Sequence, residues 1–527
     1  MTNIFEKLIV ALLLMLGAKF AFAADTYDDK TGQLTIPFVQ AYGETYMNVV
    51  ISVGDILAVN GGDPQSLVDK YDAITNRLTI PSVKALGTVY TNVVVTVGGV
   101  VSVGGIAPKP STTIDPCAVE SKNYGDVPIP TGYLGNYQVP SAAGRLANSV
   151  VRTADLADWD YWWSRPATSL CTDRIAYLKN VNRETIRRLA AIGVDRIYVS
   201  NYGSWDNIAN PIWHIPEANY AIPKTVLEFT VAEAHARGMQ VFLTWQNNYS
   251  DDAHGFMAYD AETMSQSQYT ALKNSWRLHI LEQATYAQRI GVDGLGVGID
   301  YFNPLSVRNV YTPQDSTPNG GQLKADYSAF LVQLTRSVRS VFTGKLYYGG
   351  QNDDVYPNVI AAVDEFVFRF WAGASAGTYN SGNPFNIKNV KNNLQEAFYY
   401  SFWRGGVDFS NGGSITKPVI FKVYAQSHSE IYDGGPWIED NWCIEPCSLQ
   451  RNATTNFSAQ AVVYEAALEL ASSQNYVTTG GIGPYGYAYF DLLSETRTAN
   501  SITFPNISNS VRNKPAEGIV RDWFRRQ

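Results

Sequence analysis

Residues 224–244 read KTVLEFTVAEAHARGMQVFLT. Lys224–Arg237 is helical, Gly238 supplies the stop, and Met239–Thr244 is a short apolar strand. The same helix–glycine–strand unit recurs on both sides. Arg183–Ile192 is helical, Gly193 follows, and Asp195–Ser200 is the strand; the amphipathic helix Gln268–Ile290 stops at Gly291 before the strand Val292–Ile299. Further on, Leu323–Phe342 leads to Lys345–Tyr348, Pro357–Val363 to Glu365–Phe370, Ile387–Arg404 to Pro418–Tyr424, and Ser458–Ser473 to Tyr485–Phe490. A last helix runs from Ala516 to Phe524, and a first strand is placed near Leu146–Arg152. Eight strands, each followed by a helix, predict an α/β fold with a (β/α)8 TIM barrel over residues 145–527. A doubly wound sheet competes, but no glycine-rich phosphate turn follows the first strand and eight regular units favour closure.

Working outward, residues 106–144 read as a linker, rich in Pro, Ser and Thr from Ile106 to Pro130. Before it, residues 24–105 hold an internal repeat. The unit starting at Tyr27 returns at Tyr71, with Leu34-Thr35-Ile36-Pro37 matched by Leu78-Thr79-Ile80-Pro81. Short β-branched runs broken by Gly, Asp and Asn predict strands joined by tight turns, a small all-β region. It resembles β modules beside other domains in secreted bacterial proteins, which implies attachment, spacing or assembly. Residues 1–23 read as a secretory signal: Lys7 precedes the apolar run Leu8–Leu16, and Ala21-Phe22-Ala23 offers a cleavage site. The run is shorter than a membrane span needs. The expected location is therefore secreted, periplasmic or on a bacterial cell surface. Four cysteines, Cys117, Cys171, Cys443 and Cys447, fit disulfides in an oxidising compartment better than a zinc site, and their pairing stays open.

Over 527 residues the net charge is −8, with 45% hydrophobic and 17% charged positions, which excludes wholesale disorder. The acidic balance argues against a nucleic-acid partner, which needs a basic face. No cofactor or metal motif is visible. The chain holds 12 Trp, all beyond residue 158, and nine of them follow predicted barrel strands: Trp159, Trp162, Trp163, Trp205, Trp213, Trp245, Trp371, Trp437 and Trp442. Barrel active sites sit at the carboxyl ends of the strands. Flat rings there offer apolar faces to sugar C–H groups, so the pattern predicts a glycan groove, with loop packing as the alternative.

Glycoside hydrolysis generally needs two carboxyl groups across the scissile bond. Asp300, ending the fourth strand, is the leading candidate acid, with a turn cap as its structural alternative; Glu439 and Glu430 after the seventh strand are candidate partners. Substrate-binding candidates are Trp163, Trp205, Trp245, Gln246, Asp353, Arg369, Trp371, Tyr424, Gln426, His428, Trp437 and Asp491.

The segment from about residue 145 onward resembles a clan A glycoside hydrolase, and is most similar to the family 113 mannanase-like group. AHARGMQVFLTW, YAQRIGVDGLGVGID, KPVIF and RNKPAEGIVRDWF carry the resemblance through their order and spacing. It implies an acid/base Glu after strand four and a nucleophilic Glu ending strand seven. Here Asp300 takes the first position, and the second falls at Lys422 or Val423, neither able to form a glycosyl ester. The expectation is an exported barrel that hydrolyses a polysaccharide, with a non-catalytic glycan-binding or surface structural protein as the alternative.

Overall fold

The computed structural model describes residues 25–41, 44–61, 69–72, 76–103, 117, 123, 125–126, 129, 131–156, 173–205, 213–214, 222–247, 265–299, 320–350, 355–371, 384–404, 406–428, 454–473, 477–487 and 509–526. The chain divides into two compact units, residues 1–115 and 116–527.

In the first unit the sequence repeat becomes a three-stranded motif used twice. The first copy is β1 (Asp25–Asp28), β2 (Gln33–Ala41) and β3 (Glu44–Val59); the second is β4 (Asp69–Asp72), β5 (Arg77–Ala85) and β6 (Thr88–Val103). Within each copy the strands pair antiparallel, and β3 pairs with β6. The short strands are exchanged: β1 runs parallel to β5, and β4 parallel to β2, so neither copy is complete without the other. Period-2 alternation sends Leu34, Ile36, Leu78 and Ile80 into one core with Val49, Ile51, Val93 and Val95. Asp25 and Asp69, at equivalent positions, are both buried. Burial and the hydrogen bond from its twin push the Asp25 carboxyl up to about 9, so a proton stays between the two at neutral pH.

The second unit is a closed barrel of eight parallel strands. They are β7 (Val151–Leu156), β8 (Arg196–Trp205), β10 (Gln240–Asn247), β11 (Gly294–Gly296), β12 (Lys345–Gly350), β13 (Glu365–Trp371), β14 (Ile415–Tyr424) and β15 (Val477–Pro484). Each pairs with the next, and β15 pairs with β7 to close the ring. A two-residue strand, β9 (Trp213–His214), adds antiparallel to the end of β8. The helices between them are α1 (Arg174–Ala191), α2 (Lys224–His235), α3 (Gln266–Ile290), α4 (Gly320–Arg339), α5 (Pro357–Ala362), α6 (Ile387–Arg404), α7 (Phe457–Ser473) and α8 (Pro515–Phe524). This is the expected (β/α)8 architecture with an all-β repeat region before it. Among the described residues no helix is long and apolar enough to cross a membrane.

The helices start and stop for local reasons. Asp173 caps α1 through the backbone N–H of Ala176, Ser265 and Gln268 form a capping box on α3, and Gly291 ends α3 at φ 80°. Outward-facing strand residues such as Ile197, Val199, Val241, Leu243, Phe366 and Phe368 pack under the helices in one continuous core. The inward row forms a second, smaller core of Tyr198, Phe242, Tyr347, Val367 and Ile420.

Two strands lie elsewhere than expected. The first is Val151–Leu156, not Leu146–Arg152; Leu146 instead is a buried anchor whose N–H donates to the Trp523 carbonyl at 3.0 Å. The eighth is Val477–Pro484 (VTTGGIGP), not Tyr485–Phe490. Its glycines look like a turn, yet they serve close strand approach. A Cβ at Gly481 would lie 2.5 Å from the Val151 carbonyl oxygen, and one at Gly483 would overlap the Thr153 carbonyl. Gly483→Ala is therefore expected to pry β15 from β7 and lower stability by about 1–3 kcal/mol, read as a drop in urea midpoint. An unchanged midpoint would refute that account of the strand.

Candidate functional site

The barrel interior is filled in layers. At the amino ends of the strands Arg196 Nη1 meets Glu365 Oε2 at 2.5 Å, with Lys345 also on Glu365, and the Arg196 Nε and Nη2 groups donate to Gln240 Oε1 at 3.1 and 3.0 Å. The Arg196 guanidinium lies 3.9 Å from the centroid of the Phe242 ring. The next layer is aromatic: Tyr198 meets Phe242 and Tyr347 edge to face, both at 5.4 Å. Burial pushes the Tyr198 phenol well above the usual tyrosine range, so it remains neutral. This plug closes the barrel interior below the carboxyl ends of the strands.

Above the plug the inward row turns polar. Lys422 of β14 and Asp155 of β7 form an ion pair at 2.9 Å, with relative side-chain exposures of 0% and 5%. The Lys422 ammonium sits 3.7 Å from the Tyr198 ring centroid and 5.8 Å from that of Tyr485. Arg369 of β13 lies over the same Tyr485 ring at 5.1 Å, and Tyr424 packs on Tyr485 at 5.2 Å. The parity of β14 continues past the strand through Gln426 and His428, which hydrogen-bond at 3.1 Å between Oε1 and Nε2. Both are buried, because α7 holds this segment: Gln460 Nε2 donates to the Ala425 carbonyl, and Tyr464 Oη to the Val423 carbonyl. The result is a buried polar layer of one cation–carboxylate pair, one arginine, three tyrosines and an amide–imidazole pair, packed against one another under the carboxyl ends of the strands.

Of the residues expected at the site, Arg369, Tyr424, Gln426 and His428 lie along this row, and Arg369 and Tyr424 meet on Tyr485. Trp245 belongs elsewhere: it is fully buried, and its Nε1 donates to the Gly296 carbonyl at 3.0 Å. It packs in the strand–helix layer with Trp276 at 6.4 Å and His279 at 5.1 Å, in edge-to-face contact. Trp213, counted with the rim, is buried beside them, 4.9 Å from Trp276. For these two tryptophans packing is the role. Trp205, Gln246 and Trp371 lie on β8, β10 and β13, but their side chains are outside the described residues, as are Asp300, Glu430, Glu439, Trp163, Asp353, Trp437 and Asp491 altogether. Sequence reasoning missed Asp155 and Tyr485 because the first and eighth strands were placed several residues away, and Tyr198 because, on a strand placed correctly, it reads as core. A charged residue near the end of VRTADL was the available signal for Asp155. Among the described residues no three His, Cys, Asp or Glu side chains gather as metal ligands.

No protein-family model and no curated protein matches the sequence. Among solved structures, a GH113 β-1,4-mannanase is similar over 72% of this chain and 99% of its own, at 14% identity and TM-score 0.45. The GH113 β-mannanase AaManA from Alicyclobacillus acidocaldarius is similar over 73% and 99%, at 16% identity and TM-score 0.45. Fungal β-1,4-galactanases share 14% identity over 64% of this chain and 91% of theirs, at TM-score 0.38. At these values the likeness fixes neither substrate nor mechanism. The fold rests on the strand pairing itself: the chain carries a closed (β/α)8 barrel with a buried polar and tyrosine layer toward the carboxyl ends of its strands.

Proposed function

We propose that this chain is an exported carbohydrate-active barrel that hydrolyses a β-linked polysaccharide, with Asp300 as general acid and Glu439 or Glu430 as its partner. One observation carries the reading: under the carboxyl ends of the strands the barrel interior changes from apolar to polar, with Asp155 and Lys422 paired beside the rings of Tyr198, Tyr424 and Tyr485 as a floor for the mouth. Such a floor suits a neutral ligand that is hydroxylated at its edges and apolar on its faces. Lys422 or Val423 stands where the resemblance implies a nucleophilic Glu, and neither can form a glycosyl ester. An inverting route with water as nucleophile therefore fits this residue set better than a retaining one. The same ion pair is what favours the second reading, a glycan-binding barrel without catalysis.

Export is part of the proposal and rests on the apolar run Leu8–Leu16 and the Ala21-Phe22-Ala23 site. With it goes a Cys117–Cys171 disulfide: the buried Cys117 sulfur lies 3.7 Å from the carbonyl of Asp173, two residues past Cys171. The repeats would attach or space the barrel at a surface.

The test is turnover of mannans, glucans, galactans and bacterial exopolysaccharides by the full chain and by Asp300→Asn. Loss of a general acid is expected to cut turnover by about 10²–10⁴-fold. Undiminished turnover in that variant would remove Asp300 from the mechanism, and binding with no turnover in the wild type would establish the second reading.

A further inference from the structure

The exposed tryptophan of the described barrel is not on the rim. Trp403 is 60% exposed on the outer face of α6, and Tyr400, one turn earlier, is 56% exposed. Among the described residues these are the only aromatic side chains in the exposed class. Their ring planes lie 28° apart with centroids 6.1 Å apart. That separation is too wide for a face-to-face stack, so the rings are offset and each keeps part of a face toward solvent.

The opposite side of α6 explains why the helix needs neither ring for its own stability. Val390, Leu394, Phe398 and Phe402 are buried there, and Phe398 meets Phe368 at 4.9 Å and Phe421 at 5.4 Å. The outer face follows the helical repeat in the other direction. Lys388, Asn392, Glu396, Tyr400 and Trp403 are all exposed and lie three or four residues apart, in one stripe. An amide and a carboxylate thus run directly into two aromatic faces. From Asn392 to Trp403 the stripe is about 16 Å long, roughly the reach of three sugar rings.

We propose that this stripe is a second polysaccharide-binding surface, outside the barrel mouth, on which one β-linked glycan chain lies along α6. Its sugar rings stack on Tyr400 and Trp403 while their hydroxyls bond to Glu396 and Asn392. A protein partner fits less well, because two rings bordered by polar side chains make a far smaller apolar patch than a stable interface buries. A hydroxylated ligand with flat C–H faces uses both halves of the stripe. The proposal rests on the carbohydrate-active reading of the barrel, but it concerns other residues and can fail separately.

The experiment is native-gel retardation of the full chain by soluble galactomannan, mixed-linkage β-glucan and xylan, comparing wild type with Tyr400→Ala/Trp403→Ala. Short-oligosaccharide turnover and the thermal midpoint are measured on both. At least one polysaccharide is expected to retard the wild type, and the double variant is expected to lose that affinity by tenfold or more. Its melting and its oligosaccharide turnover should stay unchanged, since both side chains are exposed on the face of α6 opposite the one that packs on β13 and β14. Equal retardation of the two proteins, or no retardation of the wild type by any of the three, overturns the surface site. If oligosaccharides are still cleaved in that case, the hydrolase reading stands without it; if nothing is bound or cleaved, both fall.

Discussion

Replacing Lys422 by methionine is expected to lower the unfolding free energy by about 3–5 kcal/mol, because it takes the ammonium partner from an Asp155 carboxylate that is 5% exposed. The pair itself adds little net stability, since desolvating two ions offsets most of their attraction. Removing one member is the costly step. Asp155→Asn should show a similar loss for the mirror reason, since the ammonium buried against Tyr198 loses its carboxylate partner at 2.9 Å. The double variant Asp155→Leu/Lys422→Met should recover most of it. Urea unfolding of the four proteins measures the coupling. Additive single losses, with no recovery in the double variant, would mean that the two side chains do not depend on each other.

Acid should unfold the barrel early, and His279 is the named cause. It is 7% exposed inside the cluster of Trp213, Trp245 and Trp276, at 5.7, 5.1 and 5.6 Å from their rings. Burial pushes its imidazole down to about 3, so the folded protein holds it neutral. Above pH 6.5 the unfolded chain is neutral there too, and stability is unaffected. Between pH 6.5 and about 3 only the unfolded chain takes the proton, so stability falls by roughly 1.4 kcal/mol for each pH unit. By pH 4 the deficit reaches about 3 kcal/mol from this one group. His279→Leu should remove that part of the slope, while carboxylates elsewhere keep theirs. Urea midpoints of wild type and variant at pH 7, 5 and 4 separate the two contributions. Parallel curves for the two proteins would clear His279 of the role.

The barrel was legible in the sequence because each α/β unit carries its own punctuation. Gly193, Gly238 and Gly291 end their helices in left-handed conformations, and apolar strands follow at once. The first and last strands were displaced because their signals are tertiary. Gly481 and Gly483 mean close packing only once β7 is beside them, and Leu146 is apolar because it docks on α8 rather than because it is in a strand. The site suffered from the same displacement. Arg369 and Tyr424 lie on strands that were correctly placed, with Gln426 and His428 just past one of them; Asp155 and Tyr485 belong to the two displaced segments. Tryptophan position also divided along physical lines. Following a strand puts a residue near the rim, but the parity of β10 decides whether it faces the barrel interior or the helices, and Trp245 faces the helices. Trp403, on a helix and so outside the nine counted at strand ends, is marked by its exposure instead.

The closure of the barrel joins the two ends of the second unit. Arg152 Nε donates to the carbonyl of Phe524 at 2.7 Å, across 372 residues, and Glu465 accepts from both the Ala143 N–H and the Trp523 indole. Arg188 of α1 grips Glu517 of α8 in a buried pair at 2.5 Å. Three contacts made by α8 and the residue-524 carbonyl thus act as a clasp: removing α8 takes the Phe524 acceptor from Arg152, the Trp523 donor from Glu465 and the Glu517 carboxylate from Arg188 at once, so damage at one end of the unit is felt at the other.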